Sequence, residues 1–231
     1  MLEAIRLTKK YGNHTALNNL DLTISKGEIF CLLGQNGAGK TTTINLFLGF
    51  TAASSGKAAI NGIEVKPEST ATKKFIAYIP EVVMLYGNLS GIENLDFFSR
   101  LAGFKYSNEQ LESFLSQAGL QKDAHKKRLG AYSKGMRQKV GIAIALAKNA
   151  DSILMDEPTS GLDPKATAEF TAICKSLSAQ GKTIFMATHD IFNAVNVGTR
   201  IGIMKEGSLV HTLHTSEVTA HELQNLYLET I

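Results

Sequence analysis

Apolar and polar residues alternate over residues 2–7 and again over 20–25, the two-residue period of strands buried on one face. Residues 29–33 replace this rhythm with a short continuous apolar run, which predicts a buried strand. That run leads into Gly34, Gly37 and Gly39, after which residues 40–49 follow helical spacing, so strand, glycine loop and helix come in that order. Residues 57–65 predict a strand pair interrupted by Asn61-Gly62, and residues 75–79 a further strand ended by Pro80.

The pattern then changes. Ser90 with Glu93, and Ser107 with Gln110, fit the box in which two side chains satisfy free amides at a helix start, so residues 84–149 read as a mostly helical insert. A strand over 152–155, a helix over 164–178 and a strand over 183–187 restore β-α-β alternation, which calls for a parallel sheet. Residues 200–204 and 208–212 predict a closing hairpin around Lys205-Glu206-Gly207, and Thr219 with Glu222 caps a short final helix. The expected organisation is one α/β domain, with a sheet-based core over 1–83 and 150–215, the helical lobe over 84–149 and a short tail over 216–231.

Composition narrows the class. With 44% hydrophobic and 19% charged residues among 231, the chain can bury a core, and a mainly disordered or collagen-like chain is excluded. The charge of +3, from 24 basic and 21 acidic residues, is too slight to make nucleic acid the expected partner. Cys31 and Cys174 are the only cysteines, which points to a reducing compartment rather than a disulfide framework. The longest apolar stretches, such as 140–147 between Lys139 and Lys148, fall far short of the roughly 20 residues that cross a bilayer. No secretory signal pattern opens the chain, so a cytoplasmic location is expected.

Local motifs carry the chemistry. Gly34-Gln35-Asn36-Gly37-Ala38-Gly39-Lys40-Thr41 fits G-x-x-x-x-G-K-[ST], in which backbone amides wrap phosphates, the lysine reaches their oxygens and the threonine binds Mg²⁺; Thr42 continues the phosphate-holding run. A surface glycine turn would not need a strand before it and a helix after it. Residues 152–155 end in the adjacent carboxylates Asp156 and Glu157, an arrangement in which the first helps hold Mg²⁺ and the second faces the γ-phosphate and its attacking water.

Tyr132-Ser133-Lys134-Gly135-Met136-Arg137-Gln138 resembles the signature motif of the ATP-binding-cassette (ABC) ATPases, and this S-K-G-M form is similar to the branch that drives drug, lipid and polysaccharide exporters. Lys134 stands in place of the family's first usual glycine, and Met136 in place of its glutamine. Ser133 and the amides near Gly135 begin a helix, where free N–H groups attract an anion. The resemblance covers nearly the whole chain. It implies a P-loop NTPase core with a mixed sheet, an antiparallel β subdomain and a helical insert. It further implies that Tyr11 stacks on adenine, that Asp163 in Ser160-Gly161-Leu162-Asp163 lies in the loop linking two active sites, and that His189 contacts the γ-phosphate. Glu81, after Ile79-Pro80, replaces the family's usual glutamine, so a carboxylate would face Mg²⁺.

What the resemblance implies in function is an ATP hydrolase that uses ATP and Mg²⁺, dimerises with itself or a related subunit around two nucleotides, and drives a separate transmembrane permease. Two rivals differ in class. A soluble ABC protein acting on ribosomes or DNA usually carries a second cassette or a long coiled coil, and a P-loop small-molecule kinase leaves the signature and His189 without purpose. Some features carry less. His211 and His214, three apart in a predicted strand, point to opposite faces and make a poor metal pair. The basic cluster of Lys122, Lys126, Lys127 and Arg128 reads as a solvated face, and Leu85 with Tyr86 as either a partner-facing patch or core.

Overall fold

A computed structural model describes all residues from Met1 to Ile231. Two sheets organise it. β1 (Leu2–Tyr11) pairs antiparallel with β2 (His14–Ile24) and, on its other edge, with the fourth strand of the chain, β4 (Ser55–Ile60), which turns through Asn61-Gly62 into β5 (Ile63–Glu64). Asn61 and Gly62 have φ of 50° and 77°, the positive pair that a tight two-residue hairpin turn requires.

The second sheet runs β10-β9-β3-β8-β7-β6, from β3 (Ile29–Gly34), β6 (Ile76–Ile79), β7 (Ser152–Asp156), β8 (Thr183–Thr188), β9 (Arg200–Lys205) and β10 (Ser208–His214). All pairs are parallel except the final β9–β10 hairpin. The central strands explain the continuous apolar run read from the sequence. Ile29, Cys31 and Leu33 enter one hydrophobic cluster, whereas Phe30 and Leu32 enter another on the opposite face. Stacked Phe30 and Phe185, with ring centroids 6.1 Å apart, anchor the second cluster against α1 (Lys40–Leu48).

The helical insert consists of α2 (Gly91–Leu101), α3 (Asn108–Gln117) and α4 (Lys134–Ala147). Ser90 and Ser107 form the reciprocal capping boxes that their spacing predicts, as does Thr219 at the final helix, α7 (Ala220–Thr230). Leu95, Leu111, Leu115, Val140 and Ala143 belong to the same buried cluster as Met155 and Ile184 of the sheet, so the insert packs on the core rather than standing apart.

Two features escaped the sequence pattern. β1 continues to Tyr11 and β2 begins at His14, beyond the expected ends. Register shifts between Ala4 and Leu7 and between Leu7 and Lys9, with Arg6 and Asn19 at φ of 45° and 46°, break the alternation that marks a strand. Between α5 (Pro164–Ala179) and β9 lies α6 (Ile191–Val197), only seven residues long, whose start the Asp190 side chain caps by accepting from Asn193 N–H at 2.9 Å.

Candidate active site

The site is built where β3 and β7 end beside the start of α1. Gly39, at φ 110°, turns the chain into the helix, and a Cβ there would lie 2.6 Å from the Ala16 carbonyl oxygen, so only glycine fits. No side chain caps α1 and no acid lies in its first turn, which leaves its leading amides and positive dipole end for an anion. Lys40 is buried and donates to the carbonyls of Gly34 at 2.6 Å and Gln35 at 3.3 Å. Its Nζ also lies 3.7 Å from Oε1 of Glu157.

Thr41 Oγ1 donates to Oδ2 of Asp156 at 3.0 Å. Burial raises the Asp156 pKa above the ordinary carboxylate value; the neighbouring charges of Glu157 and Glu81 push the same way, and the Thr41 hydrogen bond and Lys40 oppose them. A cation would relieve that crowding. Thr41 and Asp156 present hard oxygens suited to Mg²⁺, but no three His, Cys, Asp or Glu side chains converge into a complete metal cage. The donor set therefore fits an ion that takes its remaining oxygens from a phosphate ligand and water.

Glu157 has φ 46°, an uncommon angle for a residue with a Cβ. Its N–H donates to the Ala187 carbonyl at 2.9 Å, which fixes the turn after β7 against β8. Oε2 then lies 2.9 Å from Nδ1 of His189 and accepts that residue's backbone N–H at 3.2 Å. The sheet thus brings together three loops distant in sequence.

A cavity of about 420 Å³ joins these groups, within the usual range of ligand pockets. Tyr11, Gln35, Asn36, Gly37, Gly39, Lys40, Thr41, Thr42, Glu81, Asp156 and Glu157 line it, together with His14 and Ala16, which the sequence reading did not single out. The place of His14 just after the Gly12-Asn13 turn is the one signal that could have suggested it. Tyr11 is half exposed, with Lys9 Nζ 4.7 Å from its ring centroid. Gly34, Ala38 and His189 do not line the cavity, although the Gly34 carbonyl accepts from Lys40 and His189 touches Glu157.

Ser133, Gly135 and Asp163 do not line this cavity. Ser133 caps α4 by accepting from Met136 N–H at 3.3 Å, and Asp163 caps α5 by accepting from Ala166 N–H at 2.9 Å. The two helix starts adjoin, since a Cβ on Gly135 would lie 3.3 Å from that of Ala166. Glu81 lines the cavity, yet its Oε1 accepts from Ser160 Oγ at 3.0 Å and lies 3.5 Å from Lys134 Nζ.

The remaining features sort plainly. Lys126 and Lys127 pair with Glu112 and Asp123 on the surface, as a solvated face does. Leu85 packs against the core, whereas Tyr86 meets Phe97 edge-on at 5.1 Å; Val82, Met84 and Leu101 are exposed. No helix is long and apolar enough to cross a membrane.

The family described as "ABC transporter" matches residues 17–160. The chain is 35% identical over 230 residues to the bacitracin transport ATP-binding protein BcrA of Enterococcus faecalis, covering 99% of this chain and 73% of that protein. It is 34% identical over 212 residues to the probable multidrug ABC transporter ATP-binding protein YbhF of Escherichia coli, covering 91% of this chain but only 36% of that relative. Among solved structures, a dimeric ATP-binding cassette in a post-hydrolysis state bound to ADP and Pi superimposes with a TM-score of 0.81 at 27% identity, covering 93% of this chain and 99% of the other.

Proposed function

The chain belongs to the ABC transporter family as an ATP-binding, ATP-hydrolysing subunit, and from that premise we propose that it powers export through a separate transmembrane permease. The observation that carries the reading is one run of contacts: Thr41 to Asp156, Lys40 to Glu157 and Glu157 to His189. It links the helix start and the two adjacent carboxylates that line one cavity to His189, which lies outside that lining and touches Glu157, and so supports phosphate chemistry there.

In this reading Tyr11 stacks on adenine, and the amides of residues 34–42 with Lys40 hold the phosphates. Thr41 and Asp156 would hold Mg²⁺, with Glu81 of the same cavity wall as a further oxygen donor toward it. Bound there, the ion supplies positive charge against the phosphate oxygens. Glu157 takes a proton from water as the water oxygen bonds to the γ-phosphorus; the bond to the β-phosphate oxygen breaks, and ADP and inorganic phosphate leave. His189, held by Glu157, contacts the γ-phosphate.

Ser133, Gly135 and Asp163 lie outside the cavity of their own chain, which supports a head-to-tail dimer, of identical or related subunits, in which they face ATP held by the other copy. The core of 1–83 and 150–215 and the lobe of 84–149 would close on ATP and open after hydrolysis, with the tail of 216–231 riding on the core. Exposed Val82, Met84, Tyr86 and Leu101, on the loop beside Glu81 and at the end of α2, suit the permease contact at the inner face of the membrane. The transport roles named for the relatives favour an exporter over a protein acting on ribosomes or DNA. The test is MgATP hydrolysis by tagged chain purified from solubilised membranes: activity with a co-purifying membrane protein is expected, and an active chain that brings down none, but brings down ribosomes, contradicts the transporter reading.

A further inference from the structure

Two of the three departures from the usual family pattern, Lys134 and Glu81, meet in space. Lys134 Nζ lies 3.5 Å from Glu81 Oε1, the oxygen that also accepts from Ser160 Oγ at 3.0 Å. A Cβ added at Gly161 would lie 3.8 Å from the same ammonium, so Lys134 sits among three segments: the loop after β6, the start of α4 and the loop after β7. The main chain of Glu81 is held independently. Gln138 of α4, almost fully buried, donates through Nε2 to the carbonyls of Pro80 at 3.3 Å and Glu81 at 3.1 Å.

With its backbone clamped, the Glu81 carboxylate has two places to go. One is the Lys134–Ser160 pair. The other is the cavity it lines with Thr41, Asp156 and Glu157, where its charge already bears on Asp156. We propose that Lys134 is a positioning residue that competes with the magnesium site for the Glu81 carboxylate. The inference deepens the magnesium reading above and rests on it. Moving Glu81 toward the cation gives up the Lys134 pair and the Ser160 hydrogen bond, and with them one polar link between the signature helix and the loop that follows Glu157. Ion binding is thereby coupled to the fit of the helical lobe against the core. Both partners are partly exposed, so the coupling is that of an ordinary surface ion pair, a factor of about two to five.

Four variants test it: Lys134→Gln, Glu81→Gln, the double variant, and Lys134→Arg. The first readout is the ratio of ADP affinities with and without Mg²⁺. Lys134→Gln should raise that ratio about two- to fivefold, because Glu81 is released to the cation. Glu81→Gln should lower it, the double variant should match Glu81→Gln alone, and Lys134→Arg, which keeps the pair, should match the unaltered chain. If Lys134→Gln shifts the ratio by the same factor with and without Glu81→Gln, Lys134 acts by its own charge and the inference is overturned. The second readout is amide hydrogen exchange over residues 158–163 without nucleotide, which should quicken in either single variant and no further in the double; unchanged exchange in Lys134→Gln also overturns it. An unaltered chain whose ADP affinity ignores Mg²⁺ contradicts the magnesium reading and the competition together, whereas a responsive unaltered chain with an indifferent Lys134→Gln overturns the competition alone.

Discussion

Oε2 of Glu157 lies 2.9 Å from Nδ1 of His189 and also accepts the histidine's backbone N–H at 3.2 Å, so the residue after β7 and the residue after β8 hold each other in place. In the proposed mechanism that contact aims a base and a phosphate contact at the same reacting group. Glu157→Gln should lower kcat for MgATP hydrolysis by about 100-fold or more while leaving ATP affinity near that of the unaltered chain, because the amide keeps the shape but takes up no proton. His189→Ala should also lower kcat, and the double variant should fall little below the worse single one. Losses that multiply would show that the two residues act independently.

Asp156 concentrates negative charge in a partly buried place, which is why its pKa is raised, by burial first. Asp156→Asn keeps an oxygen for the Thr41 hydroxyl while removing that charge. Without Mg²⁺ its melting temperature should exceed that of the unaltered chain by about 2–4 °C, the shift that roughly 1 kcal/mol gives in a domain of this size. Addition of MgADP should then raise it less. Thermal melting in chelator and in MgADP checks both signs, and a variant that melts lower in chelator contradicts the charge-crowding account.

Cys31 and Cys174 are wholly buried, and burial pushes the Cys31 thiol up to about 12 and the Cys174 thiol higher than its ordinary value as well. Neither should react with an aromatic disulfide reagent at pH 8 in the folded chain. Both should label at the rate of unfolding once denaturant is added. Rapid labelling of native protein would show that the β3–α5 side of the core opens far more readily than its packing suggests.

Legibility in the sequence followed the range of the interaction. The capping boxes at Ser90, Ser107 and Thr219 were readable because both partners lie within one helical turn. The phosphate loop and the Asp156-Glu157 pair were readable because strand, turn and helix are contiguous. The extension of β1 to Tyr11 was not, since its bulges disrupt the alternation on which strand reading depends. Nor was the pairing of Glu81 with Lys134, which joins segments more than fifty residues apart where Gln138 also bonds the loop after β6 to α4. The adjoining starts of α4 and α5, where Gly135 approaches Ala166, likewise depend on tertiary packing alone.

The central claim is that each active site is completed by the other copy, and mixing two inactive variants tests it most directly. Lys40→Ala should lose nucleotide binding, whereas Ser133→Ala should bind nucleotide and turn over slowly. In a mixed dimer one site carries both defects and the other carries neither. Equimolar mixing should therefore restore up to about a quarter of unaltered turnover, because half of randomly formed two-fold dimers are mixed and each holds one intact site of two. The measurement is ATPase rate against mixing ratio, with mixed dimers verified by differently tagged chains. A bell-shaped curve peaking at equal proportions is the predicted result; a straight line between the two inactive end points, with mixed dimers present, would contradict a shared site.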